Sequence, residues 1–208
     1  MILNKVKRIS LIEIILIFII LIISFSLLIQ FIIKSNIRQN EINALVQLSV
    51  IKFIEREWYR DDLDGNGQHD YWTGDVSGLF RLAKKDGNKI NKIEIELAMA
   101  DIDPLPPSDR NASPKGFQPY ITSSLTNKPK PYFGYYFESI KTSWSNTLFQ
   151  TDGSDIDTNA WENSELFGFQ AYPSNYGITG KNVFITNQNG YIYMRDSGDI
   201  SFPDWPIK

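Results

Sequence analysis

Oxygen-bearing side chains recur at every second place in Asp62-Leu63-Asp64-Gly65-Asn66-Gly67-Gln68-His69-Asp70. Alternate residues of a tightly turned loop point inward, so Asp62, Asp64 and Asn66 would converge on one cation, joined by Asp70 at the ninth place. Gly67 permits the sharp turn at the sixth place, and Gln68 would offer its backbone carbonyl. A donor set made only of oxygen suits a hard ion. Calcium is therefore the expected cofactor, with Asp62, Asp64, Asn66, Gln68 and Asp70 as its metal ligands. The twelfth place, where such a loop carries an acid, is Thr73, so another ligand is needed, and Asp75 is the candidate. The competing reading is a solvated Asp/Asn/Gly turn at a helix end.

Other chemistry is thinly represented. Asp101 with Asp103, and Asp155 with Asp157, are carboxylate pairs of the kind that can run glycoside hydrolysis. Acids two residues apart in a polar loop are more often simply solvated, and no glycine-rich phosphate cradle with its lysine accompanies them. The chain has no cysteine and one histidine, His69, which excludes thiolate metal sites, cysteine nucleophiles and histidine-rich centres. Five Trp and ten Tyr could stack on sugars, but such residues more often fill the core of a small β-rich domain. From Tyr59 onward there are 14 Lys and Arg against 20 Asp and Glu, a net charge of −6, which disfavours nucleic acid as a partner. The expectation is a protein that is not an enzyme.

The elements that must position these residues begin with an apolar block. Residues 9–33 read ISLIEIILIFIILIISFSLLIQFII, with Glu13 as the sole charge. About 20 apolar residues cross a hydrocarbon core of about 30 Å, so the block is long enough to span a bilayer. It is also longer than the apolar core of a cleaved signal peptide, and no small-residue cleavage site follows it. Lys5, Lys7 and Arg8 precede the block and Lys34 and Arg38 follow it. The basic leader favours a cytoplasmic N-terminus and a C-terminal part on the far side. Beyond the block, Ile37, Ile42, Leu45, Val46, Val50, Phe53, Ile54 and Trp58 recur at spacings of three and four, the pattern of an amphipathic helix. No Pro or Gly interrupts the chain from Ile9 to Asp64. One helix of about 50 residues, about 75 Å long, is expected, with a break near Lys34-Ser35-Asn36 as the alternative.

Arg8-Ile9-Ser10-Leu11-Ile12-Glu13 and the apolar run after it resemble the N-terminal signature of type IV prepilins and type II secretion pseudopilins. The resemblance implies cleavage between Arg8 and Ile9 by a prepilin peptidase, methylation of the new N-terminus, and Glu13 as the fifth mature residue. It also implies that Glu13 pairs with a neighbouring subunit's free amine during assembly. Arg8 stands where that family has Gly, and an uncleaved chain would carry no amine at Ile9.

Downstream, residues 89–100 suggest a helix. Residues 103–131 hold seven of the ten prolines and read as a long irregular connection. Residues 132–140, 166–172, 183–186 and 191–195 read as strands, the last two joined by the hairpin turn Asn187-Gln188-Asn189-Gly190, with residues 143–165 inserted before the second. The fold class is α+β, a long N-terminal helix packed on a small antiparallel sheet in a pilin-like arrangement. Four segments follow: a basic cytoplasmic leader at 1–8, a transmembrane helix at 9–33, an amphipathic extension at 34–60 and an extracytoplasmic domain at 61–208. The runs Asp70–Gly78, Gly134–Phe137, Ala171–Gly180, Phe184–Asn187 and Gly190–Tyr193 resemble a domain family of unknown function from bacterial envelope proteins. The functional expectation is a non-enzymatic, pilin-like or pseudopilin-like structural subunit of the bacterial inner membrane. Its N-terminal helix would associate with copies of itself or with other pilin-like subunits, and its domain would be periplasmic or extracellular. The alternative is an uncleaved, anchored envelope domain that binds calcium, a glycan or a protein.

Overall fold

A computed structural model describes residues 10–63, 65, 67–83, 88, 90–104, 118–119, 128–140, 162–196 and 198. The chain divides into two compact units, Met1–Asn36 and Ile37–Lys208. Helix α1, Leu11–Asp61, runs for 51 residues and passes through Lys34-Ser35-Asn36 without a break. No side chain from Ser10 to Ile32 is buried, and this part of α1 is long and apolar enough to cross a membrane. Its start is fixed by a reciprocal cap. The Glu13 amide donates to Ser10 Oγ at 3.2 Å and the Ser10 amide donates to Glu13 Oε2 at 2.7 Å. Two of the unpaired amides at the helix start are satisfied this way.

In the second unit, α1 contributes one buried stripe: Ala44, Leu48, Ile51, Ile54, Glu55 and Trp58. Short elements follow: β1 (Tyr71–Trp72), α2 (Gly78–Arg81), β2 (Leu82–Ala83), α3 (Ile95–Met99) and β3 (Gln118–Pro119). Then come β4 (Tyr135–Ser139), β5 (Glu162–Asn163), β6 (Gly168–Pro173), β7 (Asn182–Asn187) and β8 (Ile192–Asp196). Strands β4, β6, β7 and β8 form a four-stranded antiparallel sheet in that order, with β1–β5 and β2–β3 as two-stranded pairs. The fold is α+β, and the expected strands are present in the expected order. Tyr135, Phe137, Phe169, Ala171 and Phe184 face inward and join the α1 stripe in one core. Segment Ala100–Ile102 lines the free edge of β4, with Phe137 N donating to Ala100 O at 3.0 Å and Ile102 N to Phe137 O at 3.1 Å.

Two expectations need correction. The buried face of α1 is not the one the apolar spacing suggested. Ile54 and Trp58 are buried, but Ile42, Val46, Val50 and Phe53 are 43%, 50%, 37% and 60% exposed. The helix has two apolar faces, and the domain covers the one that includes Glu55. Second, the helix expected over residues 89–100 is reduced to α3. Ile90 N donates to Leu82 O at 2.9 Å and Lys92 N to Leu79 O at 2.8 Å. These amides close onto the end of α2 and its cap residue instead of onto carbonyls four residues back, and Ile90 and Ile93 enter the core from a non-helical segment.

Polar contacts fix how the second half of α1 lies on the sheet. Asn40 Nδ2 donates to Thr179 O at 2.8 Å, and Lys52 Nζ donates to Gly190 O at 2.9 Å in the β7–β8 turn. Glu41 Oε1 accepts from the amides of Lys181 and Asn182 at 3.0 and 3.2 Å. Gly180 sits directly under the Tyr135 hydroxyl, where a Cβ would overlap the phenol ring; that hydroxyl donates to Asn182 O at 2.9 Å. The two faces of α1 predict opposite responses. In denaturant titrations of the full chain in detergent, Leu48→Ala should cost about 2–5 kcal/mol, whereas Val46→Ala should stay within about 0.5 kcal/mol.

Candidate functional site

Two buried acidic centres lie between α1, the segment Asp70–Arg81 and the edge of the sheet. The first is built on Asp75, which is fully buried. Its Oδ1 accepts the Gly78 amide at 2.8 Å, and its Oδ2 accepts both Ser77 Oγ and Arg81 Nη2 at 2.6 Å. Trp72 Nε1 donates to the Asp75 carbonyl at 2.7 Å, and Ser139 Oγ reaches the Gly74 carbonyl at 2.9 Å. A Cβ on Gly78 would meet the Trp72 ring at 2.6 Å, so the start of α2 closes on the indole only with glycine there. Arg81 is buried with its partner, its side chain 6% exposed.

Asp101 belongs to the same centre. It is 2% exposed and accepts the Ser77 amide at 2.7 Å and the Asp103 amide at 3.2 Å. Burial, and then the negative charge of Asp75, push the Asp101 carboxyl well above the usual carboxylate range; the two amides and Arg81 pull only partly the other way. The one guanidinium is paired with Asp75, and Asp101 beside it favours its protonated form. Asp103 is exposed, so the sequence pair Asp101/Asp103 is divided between the interior and the surface.

The second centre is Glu55. It stands in the buried stripe of α1 at 0% exposure, one turn before Trp58, whose ring packs on Trp72 at 5.5 Å. Neither carboxylate oxygen makes a hydrogen bond among the described residues; the Trp72 amide lies near enough to favour the charged form without completing a bond. Burial, helped by the charge of Asp70, holds the Glu55 carboxyl well above its ordinary range.

Of the expected metal ligands, Asp62, Gln68 and Asp70 are described. Asp62, with φ of 46°, accepts the Gly67 amide on Oδ2 at 3.0 Å, which turns that carboxylate onto the loop backbone. Gln68 is exposed, while Asp70 is 5% exposed and turned inward. Asp64 and Asn66 lie outside the described residues, as do Arg8, Ile9, Asp155, Asp157 and most of residues 143–165. His69 pairs its Nδ1 with Tyr59 O at 2.7 Å. Asp75, the candidate for the missing loop ligand, has both its oxygens engaged by the contacts that fold α2. Among the described residues no three His, Asp or Glu side chains converge as a metal-binding group.

Sequence reasoning missed Glu55 and Arg81. For Glu55 a signal existed: Ala44, Leu48, Ile51, Glu55 and Trp58 follow one another at spacings of four, three, four and three, which places a carboxylate inside an apolar stripe. Arg81 gave no such signal, since only the fold brings it to Asp75. Arg81→Met should cost about 3–5 kcal/mol by leaving Asp75 buried without its cation. Asp101 contributes stability that is complete below the ordinary Asp range, about pH 4, and is lost as pH rises through its elevated pKa. Wild-type melting temperature should therefore fall over that window, and Asp101→Asn should flatten the fall, as followed by thermal melts at successive pH values.

Comparison with known proteins places these features in a family. No curated protein and no solved structure matches the chain. One family model matches residues 30–202, which include Glu55, Asp75, Arg81 and Asp101 and every run from Asp70–Gly78 to Gly190–Tyr193. The match spans well over half of the sequence, and the chain belongs to the family described as protein of unknown function (DUF2950).

Proposed function

We propose that this chain is a non-enzymatic, membrane-anchored structural subunit of pilin-like type that associates with further copies of itself through α1. The anchor is the apolar N-terminal part of α1, with the leader in the cytoplasm and the domain on the far side of a bacterial inner membrane. Lys5, Lys7 and Arg8 ahead of the apolar block support that orientation.

The observation that carries the proposal is the uncovered face of α1. Ile42, Leu45, Val46, Ser49, Val50 and Phe53 line one open groove along the helix. The opposite face of the same turns is already packed on the sheet, so this groove adds nothing to the domain's own core. A contiguous exposed apolar strip of this kind marks an interface. A second copy suits it as occupant: chains anchored in one bilayer run parallel and carry the same strip at the same height, and confinement to the membrane reduces the entropy lost on association.

A second reading rests on the cap. Glu13 is satisfied by Ser10 of its own chain, and Arg8 occupies the place of the glycine that a prepilin peptidase reads. This favours an uncleaved, singly anchored envelope domain.

The chain lacks cysteine, so single introduced cysteines report proximity without background. Val46→Cys in native membranes should form disulfide-linked dimers on mild oxidation, and Lys181→Cys should not. Phe53→Asp combined with Val46→Cys should reduce the dimer at least several-fold. Equal cross-linking at both positions would remove the self-association reading. Co-expression with a prepilin peptidase followed by N-terminal sequencing separates the two readings. Ile9 as the first residue supports the pilin-like subunit, and an intact Met1 supports the anchored domain.

A further inference from the structure

Glu55 is the one residue of the buried α1 stripe that can carry a charge. It is 0% exposed, with Ile51 and Ile54 before it and Trp58 after it on the same buried face. Neither of its oxygens makes a hydrogen bond among the described residues, and no ion pair there reaches it. On α1 its neighbours Arg56 and Tyr59 are exposed. From the segment entering β1, the charge of Asp70 acts on Glu55, and Tyr71 feels the charge of Glu55 in turn. From the sheet come Phe137, Phe169 and Phe184, and a Tyr135 hydroxyl already bonded to Asn182 O. Glu57 and Lys92 pair with each other at 3.0 Å toward solvent.

A carboxylate in this place gives up its water and gains no hydrogen bond in return, whereas a carboxylic acid loses far less. The seated helix therefore holds a proton on Glu55, and ionisation opposes the seat. The same turns depend on burial to stay down. The exposed Glu57–Lys92 pair adds little, so Ile54 and Trp58 hold the end of α1, with Glu55 between them.

We propose that Glu55 is a proton-operated latch on α1: with its carboxyl protonated, the turns from Ile54 to Trp58 lie closed on Trp72 and the core, and with the proton lost they open so that the carboxylate meets water. In the open form Glu55 titrates in the ordinary range, at about pH 4. The closed form keeps its proton to higher pH. Opening thus rises with pH, by up to tenfold per pH unit, until the closed form also ionises.

Amide hydrogen exchange on the full chain in detergent tests this, with rates corrected for their intrinsic pH dependence. Between pH 5 and pH 8 the amides of residues 54–60 should lose protection at least tenfold, and those of β6 and β7 should lose less. Glu55→Gln should remove the dependence at residues 54–60. Should that variant fail to fold, Glu55→Met, which suits the apolar stripe, should do the same. Asp101→Asn should leave the dependence at residues 54–60 in place. Protection that is equal at the two pH values in the wild type would overturn the latch, as would a pH dependence that survives in a folded Glu55→Gln or Glu55→Met. Equal loss in α1 and in β6 and β7 would also overturn it, by assigning the effect to unfolding of the whole domain.

Discussion

The second unit is organised around one packing contact, the stripe Ala44, Leu48, Ile51, Glu55 and Trp58 of α1 laid against the inner faces of β4, β6 and β7. A four-stranded sheet of short strands leaves one face needing cover, and a helix stripe is what supplies it. The contact is directional as well as apolar. Asn40, Glu41 and Lys52 hydrogen-bond backbone groups at the ends of β7 and its flanking turns, so the helix is held in register along the sheet and cannot slide on it.

Around that core the domain buries more charge than a small fold ordinarily does. Asp75, Arg81 and Asp101 form one enclosed cluster, and Glu55 with Asp70 forms another. The two are joined by the short stretch Trp72–Asp75, whose indole packs at a tilt on Trp58 on one side and bonds the Asp75 carbonyl on the other. The first cluster balances itself through a guanidinium, backbone amides and a raised carboxyl pKa. The cost of desolvating its charges is offset by fixed geometry, a use of buried polar groups that specifies one arrangement more than it adds stability. In the second, burial and the charge of Asp70 hold the Glu55 carboxyl well above its ordinary range.

With no cysteine in the chain, no disulfide adds to these contacts. The same helix that closes the core also shows a second apolar face to solvent. One element thus presents two apolar surfaces: the stripe from Ala44 to Trp58 packs into the core, and the strip from Ile42 to Phe53 stays uncovered.

The sequence by itself determined the apolar block, the continuity of the helix through Lys34-Ser35-Asn36, the four main strands and the Asn187–Gly190 turn. Each is set by local preference: absence of Pro and Gly, β-branched and aromatic runs, turn residues with few alternatives. It did not determine which of two apolar faces of α1 is inside, because spacing of three and four fits either face and only the sheet chooses between them. It did not limit the helix near Ile90, because helical periodicity is outweighed where the amides of Ile90 and Lys92 find the carbonyls of Leu82 and Leu79. The loop Asp62–Asp70 could be read as a string of oxygens, but not the turning of Asp62 onto its own backbone or the burial of Asp70. Those placements depend on contacts between residues far apart in the chain, and a carboxylate's role is set by the neighbours the fold brings to it and not by its spacing.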